Sequence, residues 1–305
     1  MQAKRLVGAI EGGGTKFVCA VATSPTDVLE RAVLATRDPA ETLSACAEFL
    51  GEAAARHGEI AAIGLACFGP LQLRPGAQDY GCLLKTPKSG WSGVNLLLPF
   101  RRRFGVPIVL ATDVAAAACG ELAQGAGRGL GSLAYVTVGT GIGGAVAPAP
   151  QAPRLMHAEM GHLVVRRDPR DAGFRGTCPF HEDCLEGLAS GPAVRARWGT
   201  DLDQLPADHS GRDLIAGYVA QLLVAIALLH APQRIVVGGG VMGQGALLPG
   251  IRKQTLALLS GYLPALGDAE AMEQFIQTPM LATESAIVGA LHMTFDGLSN
   301  PETMT

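Results

Sequence analysis

Apolar and polar positions follow two different periods along the chain. Largely apolar runs, each long enough for one buried strand, occupy residues 6–11, 17–22, 60–67, 106–111, 133–138 and 234–237. Stretches in which apolar side chains recur at helical spacing occupy residues 39–58, 114–123, 213–229 and 283–291. Short buried strands that are separated by amphipathic helices predict an α/β protein.

The first long helix carries clear start and stop signals. Asp38 is a suitable N-cap, Pro39 fits the first helical position, and Gly58 fits the end. Its apolar stripe consists of Leu43, Cys46, Phe49, Leu50 and Ala53. This stripe predicts a helix that packs one face against a sheet.

Composition and charge argue against several classes of protein. The chain has 305 residues, which is long enough for two globular domains. Its composition, 48% apolar and 17% charged, is that of a globular protein. A net charge of −3 gives no reason to expect a nucleic acid or an anionic membrane as partner. The longest apolar run, residues 214–229, is shorter than the ~20 residues of a membrane span. It therefore predicts a buried helix.

The N-terminus and the cysteines favour a cytoplasmic protein. Residues 1–5 are basic, but the apolar stretch 6–10 is too short for the core of a signal peptide. The seven cysteines are an odd number and are too sparse for a disulfide scaffold. We therefore expect reduced cysteines in the cytoplasm.

A cluster of metal-ligand residue types lies at residues 159–186. Cys178, His181 and Cys184 are spaced C-x₂-H-x₂-C, and His162 lies sixteen positions upstream. Two thiolates and two imidazoles fill a closed tetrahedral zinc site, so the segment predicts structural Zn²⁺. The alternative is two surface cysteines near an unrelated histidine. The polar connector 166–176 has no apolar period and is predicted to be a loop.

Two carboxylates flank these predicted ligands. Glu159 lies three residues before His162, and Glu186 lies two residues after Cys184. Because the metal would fix where both carboxylates point, loss of zinc is expected to disturb a binding surface there. Glycine turns elsewhere in the sequence are expected to be less affected.

Glycine-rich turns follow three of the predicted strands. The first, at residues 11–16, is not a P-loop, because the Walker spacing and the following helix are both missing. It is either an ordinary hairpin or a phosphate site that uses bare backbone N–H groups. The turns at residues 139–144 and 238–243 match G-x-G-x-x-G formally but lack the Rossmann context. Three such strand ends suit one nucleotide that is held from several sides.

Asp113 stands where a strand ends and a helix begins. From its position alone, the simpler interpretation is a helix N-cap. The functional interpretation is a carboxylate at the edge of the sheet where ligands bind in α/β proteins.

Taken in order, these motifs resemble the ROK family of sugar kinases and repressors. The set comprises residues 11–16, 112–113, 138–144, 159–162 and 237–242. The resemblance implies an actin-like ATPase fold of two similar ribonuclease H-like domains, with ATP and sugar in the cleft between them. It places residues 1–115 and the returning helix 284–297 in the first domain. Residues 116–283, with the zinc segment 159–186, form the second.

Several residues resemble the fructokinase branch of that family. Glu11 stands where aspartate is usual, and residues 86–91 and 178–187 match branch motifs. The repressors carry an N-terminal helix-turn-helix, for which residues before Glu11 leave no room. Thr112 and Ala115 stand where many relatives have asparagine, which leaves the identity of the sugar open.

The resemblance implies a role for individual residues. Asp113 resembles the catalytic base. The implied sugar contacts are Gly69, Pro70, Thr112, Glu159, His162 and Glu186. The implied ATP contacts are Gly12, Gly13, Gly14, Thr15 and Lys16, then Gly139, Thr140 and Gly141, and finally Gly239 and Gly240 at the adenosine end.

The expected activity is therefore that of an ATP-dependent hexose kinase. Fructose is the expected sugar, phosphorylated at O6, with Mg²⁺ accompanying ATP and Glu11 as a candidate contact to that ion. Family resemblance also implies a homodimer. Glucokinase, mannokinase and N-acetylhexosamine kinase are alternatives within the enzyme class. A non-catalytic sugar sensor is the alternative outside it.

Overall fold

The computed structural model describes residues 5–149 and 156–299 and divides them into two compact units. Unit 1 contains the described residues 5–123, 156–157 and 283–299. Unit 2 contains the described residues 124–149 and 158–282. Each unit is built around its own sheet.

The predicted strands and helices are present in their predicted order, together with elements that the sequence pattern did not predict. The strands are β1 (Leu6–Gly12), β2 (Lys16–Ser24), β3 (Asp27–Ala35), β4 (Ile60–Cys67), β5 (Ile108–Thr112), β6 (Leu133–Val138), β7 (Ile142–Ala147), β8 (Ile235–Gly238) and β9 (Ile276–Gln277). The α-helices are α1 (Pro39–His57), α2 (Leu98–Phe104), α3 (Asp113–Ala123), α4 (Leu185–Ala189), α5 (Gly191–Trp198), α6 (Ser210–His230), α7 (Leu248–Leu259), α8 (Ala269–Phe275) and α9 (Ser285–Ser299). Short 3₁₀ turns include Met160–His162, Pro169–Asp171 and Gly240–Gly245.

Unit 1 has a five-stranded sheet in the order β3-β2-β1-β4-β5. Strands β1, β4 and β5 are parallel, and β2 and β3 complete the sheet as antiparallel strands. A Cβ at Gly8 would meet Leu50 of α1, whereas one at Gly64 would meet Ala290 and Thr294 of α9. Gly64 pairs with Ala9, the neighbour of Gly8. Because successive residues face opposite sides of a sheet, α1 and α9 cover opposite faces.

Helices α3 and α9 approach each other through glycine. A Cβ at Gly289 would lie 1.7 Å from the Ala116 carbonyl oxygen, and one at Gly120 would lie 2.2 Å from that of Ser285. Only glycine permits this backbone contact. The predicted domain boundary between residues 115 and 116 falls inside α3. The structure keeps the whole of α3 in unit 1, because the helix packs along α9.

Unit 2 has a four-stranded sheet in the order β7-β6-β8-β9, in which β7 is antiparallel and the others are parallel. Helix α6 is long and apolar enough to cross a membrane by length and composition alone. In the structure, 56% of its most apolar 18-residue window is buried. Its buried side chains, among them Tyr218 and Leu223, belong to the core of unit 2, as is typical of a central helix.

Strand β3 has no counterpart among the predicted elements. It forms the edge of the unit 1 sheet, and its residues alternate between exposed and partly exposed positions. An edge strand lacks the continuous apolar run that marks a buried strand, so the sequence pattern does not reveal it.

Candidate active site and metal centre

The glycine turn of unit 1 has its carbonyl groups occupied and two of its amides free. Thr36 donates its hydroxyl to the Gly13 carbonyl at 2.7 Å and its backbone N–H to the Thr15 carbonyl at 3.0 Å. Lys88 Nζ donates to the Gly14 carbonyl at 2.5 Å. Within residues 5–149 and 156–299, the N–H groups of Gly14 and Thr15 have no acceptor. Free N–H groups on an exposed turn are suited to an anion.

Two carboxylates lie at the carboxyl ends of the parallel strands in unit 1. Glu11 is near the end of β1, and Asp113 directly follows β5. Oxygen Oε2 of Glu11 is buried and has no hydrogen-bond partner among the described residues. Burial, reinforced by the negative charges of Asp113 and Glu284, raises the pKa of Glu11 to about 7. Lys16 and Arg31 oppose that rise only partly.

An orphaned carboxylate oxygen near a second carboxylate is a donor set that suits a hard cation. The residues of unit 1 therefore fit a Mg²⁺ ion, with Glu11 as one contact.

Asp113 is not the residue that caps helix α3. The hydroxyl of Thr112 accepts the Ala115 N–H at 3.2 Å, which is the N-cap interaction, and Thr112 is only 4% exposed. Asp113 Oδ1 accepts the Val114 N–H at 2.8 Å. Burial raises the pKa of Asp113, while N–H groups at the helix start and His157 pull that pKa the other way. Since Thr112 does the capping, the carboxylate of Asp113 is available for another role.

His157 is a candidate site residue that the sequence analysis missed. Its Nε2 accepts the Leu71 N–H at 2.9 Å, which requires the proton of the neutral ring to be on Nδ1. A Cβ at Gly69 would lie 3.3 Å from the same ring, so the ring lies against the predicted sugar loop Gly69–Pro70. The signal in the sequence was its place two residues before Glu159, but its partner lies 86 residues away.

Unit 2 brings its two glycine turns together. Strands β6 and β8 are parallel neighbours, with Thr137 paired to Gly238, so both turns leave the same edge of the sheet. Gly239 has φ of +97°, and a Cβ there would lie 2.3 Å from the Val138 carbonyl oxygen. Only glycine can occupy this position. The predicted ATP contacts Gly139–Gly141 and Gly239–Gly240 are thus adjacent.

All four predicted zinc ligands meet in unit 2. The ligand atoms of His162, Cys178, His181 and Cys184 lie within 4.8 Å of one another. Nδ1 of His162 is 3.7 Å from Cys178 Sγ and 3.5 Å from Cys184 Sγ, and Nδ1 of His181 is 3.8 Å from Cys178 Sγ. A tetrahedral zinc ion, with its usual bond lengths to sulfur and nitrogen, has S···N edges of about 3.6 Å. The four residues therefore fit Zn²⁺.

The zinc segment is bonded to the second glycine turn. Glu186 Oε2 accepts the Ile142 N–H at 2.8 Å, and a Cβ at Gly141 would lie 2.8 Å from the same oxygen. A Cβ at Gly161, next to His162, would lie 1.9 Å from the Ile142 carbonyl oxygen. The second glycine turn, which we expected to be less affected by loss of zinc, is thus in direct contact with the metal segment across 44 positions of sequence.

The connector predicted as a loop is irregular, but it is firmly held. Arg197 forms a two-pronged ion pair with Asp171 at 2.9 and 2.7 Å, and both side chains are about 5% exposed. Tyr218 donates to the same carboxylate at 2.9 Å. The Arg197 guanidinium also lies 3.7 Å from the centre of the Phe174 ring. Charge pairing thus orders the connector that leads to the predicted ligand Cys178.

Comparison with known proteins identifies the family. The model of the ROK family matches residues 7–295. The chain belongs to the ROK family. A fructokinase of Zymomonas mobilis is 39% identical over 291 residues, which cover 94% of this chain and 95% of that one. A fructokinase of Lactococcus lactis is 36% identical over 292 residues, which cover 94% of this chain and 96% of that one.

Solved ROK structures establish the fold. The crystal structure of a ROK hexokinase from Thermus thermophilus has a TM-score of 0.77, with 24% identity, and covers 97% of this chain and 99% of that chain. The predicted actin-like ATPase fold, of α/β class, is confirmed. The roles of individual residues within it stay predictions.

Proposed function

We propose that this ROK protein is an ATP-dependent fructokinase that transfers a phosphoryl group to O6 of fructose. The observation that carries the proposal is the identity of 36–39% to proteins named fructokinase over nearly the whole chain. Glucokinase relatives are more distant, at 24–26% identity. The proposed roles of the carboxylates and of the glycine turns in this reaction are as follows.

Asp113 is the proposed general base. A sugar hydroxyl is a weak nucleophile at neutral pH, so a carboxylate that accepts its proton during transfer lowers the barrier. Burial raises the pKa of Asp113, which strengthens it as a proton acceptor, while the N–H groups at the start of α3 favour its charged form. The hydroxyl of Thr112 already caps the helix, so Asp113 does not have to.

The glycine turns are the proposed phosphate and nucleotide contacts. Phosphoryl transfer needs mainly positioning and neutralisation of charge. In unit 1, the N–H groups of Gly14 and Thr15, together with Lys16, are the proposed donors to phosphate oxygens. In unit 2, residues Gly139–Gly141 and Gly239–Gly240 play the corresponding part. Mg²⁺, held in part through Glu11, would offset the negative charge of the phosphates.

Zinc is proposed to be structural. Two histidines and two cysteines complete its four positions, which leaves no place for an activated water. Its proposed role is to fix the predicted sugar contacts Glu159, His162 and Glu186. We further propose that the protein is cytoplasmic and forms a homodimer, as its sequence and family resemblance suggest.

The proposal is tested by coupling ADP release to a panel of hexoses. With Mg²⁺ and ATP, fructose should give the highest kcat/KM, ahead of mannose, glucose and the N-acetylhexosamines. A strong preference for glucose or an N-acetylhexosamine would overturn the choice of sugar. ADP release with none of the hexoses would favour a sugar sensor, which direct binding of fructose without turnover would then identify.

A further inference from the structure

Lys88 donates a hydrogen bond to the turn that is proposed to bind phosphate. Its ammonium donates to the Gly14 carbonyl at 2.5 Å across 74 positions of sequence. The residue is partly exposed. This contact has a directional consequence for the neighbouring amide.

A contact that fixes the carbonyl oxygen of the Gly14–Thr15 peptide also fixes the direction of its N–H. A trans peptide is planar, so the Gly14 carbonyl and the Thr15 N–H point in opposite directions. Fixing the carbonyl on the Lys88 side therefore turns the Thr15 N–H to the other side. Glycine restricts its own torsions least of all residues, so this peptide has little orientation of its own. A cation on the oxygen also polarises the peptide and strengthens its N–H as a donor.

The loop that presents Lys88 is anchored to the same hairpin. Trp91 is fully buried, stacks on Phe17 at 5.4 Å, and donates its indole N–H to the Arg37 carbonyl at 3.2 Å. Phe17 directly follows Lys16, the last residue of the turn. Ser92 closes the loop by hydrogen bonds to the backbone N–H and carbonyl of Thr86, at 3.1 and 3.3 Å. The loop that carries Lys88 is thus attached to the hairpin by contacts of its own.

The other carbonyls of the turn are held by different groups. Thr36 takes those of Gly13 and Thr15, and the Gly13 N–H takes that of Lys16. Lys88 supplies the donor for Gly14, and with it all four carbonyls are occupied. The amides of Gly14 and Thr15 are what the turn then offers to a ligand.

We propose that Lys88 is a positioning residue that locks the Gly14–Thr15 peptide so that the Thr15 N–H faces a phosphate of the bound nucleotide. This inference rests on the proposed kinase function. Removal of the ammonium should weaken the binding of phosphate-bearing nucleotides, and should leave the binding of the sugar and of adenosine unchanged.

The test compares Lys88→Met and Lys88→Arg with Lys253→Met, which removes an exposed lysine from α7. Calorimetry measures the Kd of the non-hydrolysable ATP analogue AMPPNP, with Mg²⁺, and the Kd of adenosine. Loss of one hydrogen bond to a charged group predicts a Kd for AMPPNP about 10-fold to 100-fold higher in Lys88→Met. Lys88→Arg should recover most of that loss, and Lys253→Met should bind like the wild type. In turnover, KM should rise for ATP and not for the hexose.

An unchanged Kd for AMPPNP in Lys88→Met would overturn the proposal that Lys88 orients the Gly14–Thr15 peptide. Equal weakening of AMPPNP and adenosine would also overturn it, because it would show a general structural role. Binding does not require turnover, so the two proposals fail separately. If the wild type binds AMPPNP and phosphorylates no hexose, the kinase proposal fails, and the Kd of AMPPNP in Lys88→Met still decides the proposal for Lys88. If the wild type does not bind AMPPNP, both fail.

Discussion

One group of carboxylates in each unit illustrates two opposite surroundings. In unit 1, Glu11 has a buried oxygen without a partner, and burial raises the pKa of both Glu11 and Asp113. In unit 2, Asp171 is equally enclosed but receives Arg197 and Tyr218. Asp168 is paired with Arg170, which lowers its pKa.

The difference separates groups that stabilise the fold from groups that await a ligand. A buried carboxylate without a partner costs free energy, and a protein that retains one commonly uses it. The charge of a paired carboxylate is already balanced by a group of the same chain. Unit 1 therefore holds the candidates for chemistry, and the connector of unit 2 holds a scaffold.

The largest expected effect tests whether Asp113 acts in the reaction or only in the fold. Asp113→Asn removes the proposed base and should lower kcat by about 10²–10⁴-fold, with little change in the KM for ATP. Steady-state kinetics with fructose measure this. The matched variant Thr112→Val removes the helix cap and should cost about 0.5–2 kcal/mol of stability. Near-normal kcat in Asp113→Asn, together with a lower Tm, would make Asp113 a structural residue.

The scaffold side of the comparison rests on Asp171. Asp171→Asn leaves the buried guanidinium of Arg197 without its charge partner and should lower the free energy of unfolding by about 3–5 kcal/mol. Urea denaturation measures the loss. The control Asp201→Asn disrupts the exposed pair with Arg195 and should change stability by about 1 kcal/mol or less. Similar losses in both variants would mean that the burial of the Asp171 pair has no special effect.

Zinc connects the scaffold to the proposed site. Cys178→Ser should lose bound metal and raise the KM for sugar about 10–100-fold. Because Glu186 also holds the Ile142 N–H beside the second glycine turn, the KM for ATP should rise as well. Metal analysis and kinetics measure both effects, and Cys119→Ser, at a cysteine outside the cluster, is the control. A metal-free Cys178→Ser protein with unchanged KM values would show that zinc does not influence the binding of sugar or ATP.

The smallest expected effect is a dependence on pH of the stability that Glu11 of unit 1 contributes. The pKa of Glu11 rises from 4.5 to about 7 on folding, so between these values the folded protein keeps a proton that the unfolded chain releases. The stability from Glu11 is thus complete below pH 4.5 and is lost as pH rises through about 7. Glu11→Gln should be more stable than the wild type by about 1–2 kcal/mol at pH 8 and indistinguishable at pH 4.5.

Chemical denaturation without nucleotide or Mg²⁺ measures this difference. Glu59→Gln, at an exposed glutamate, is the control and should follow the wild type at both pH values. A difference between Glu11→Gln and the wild type that does not depend on pH would show that Glu11 is not a strained buried acid.

Local patterns in the sequence predicted what local geometry determines. The C-x₂-H-x₂-C spacing placed Cys178, His181 and Cys184 around one point, and glycine marked the positions where the backbone turns. The ordered motifs predicted the family and the fold, and both are confirmed.

Contacts across long stretches of chain could not be predicted in this way. His157 faces Leu71 and Glu186 faces Ile142 because of tertiary packing, which leaves no periodic trace in the sequence. Strand β3 was missed because its exposed edge carries polar residues that are typical of loops.

The contact between α9 and the sheet of unit 1 has a consequence for biosynthesis. The face of β4 that carries Gly64 is covered by Ala290 and Thr294, which are made only after all of unit 2. At ordinary rates of translation, that delay is on the order of ten seconds. During that time the face of the unit 1 sheet that α9 covers lacks this helix, while the residues of unit 2 can already fold. Chaperone demand should therefore fall on the part of the chain that is synthesised first.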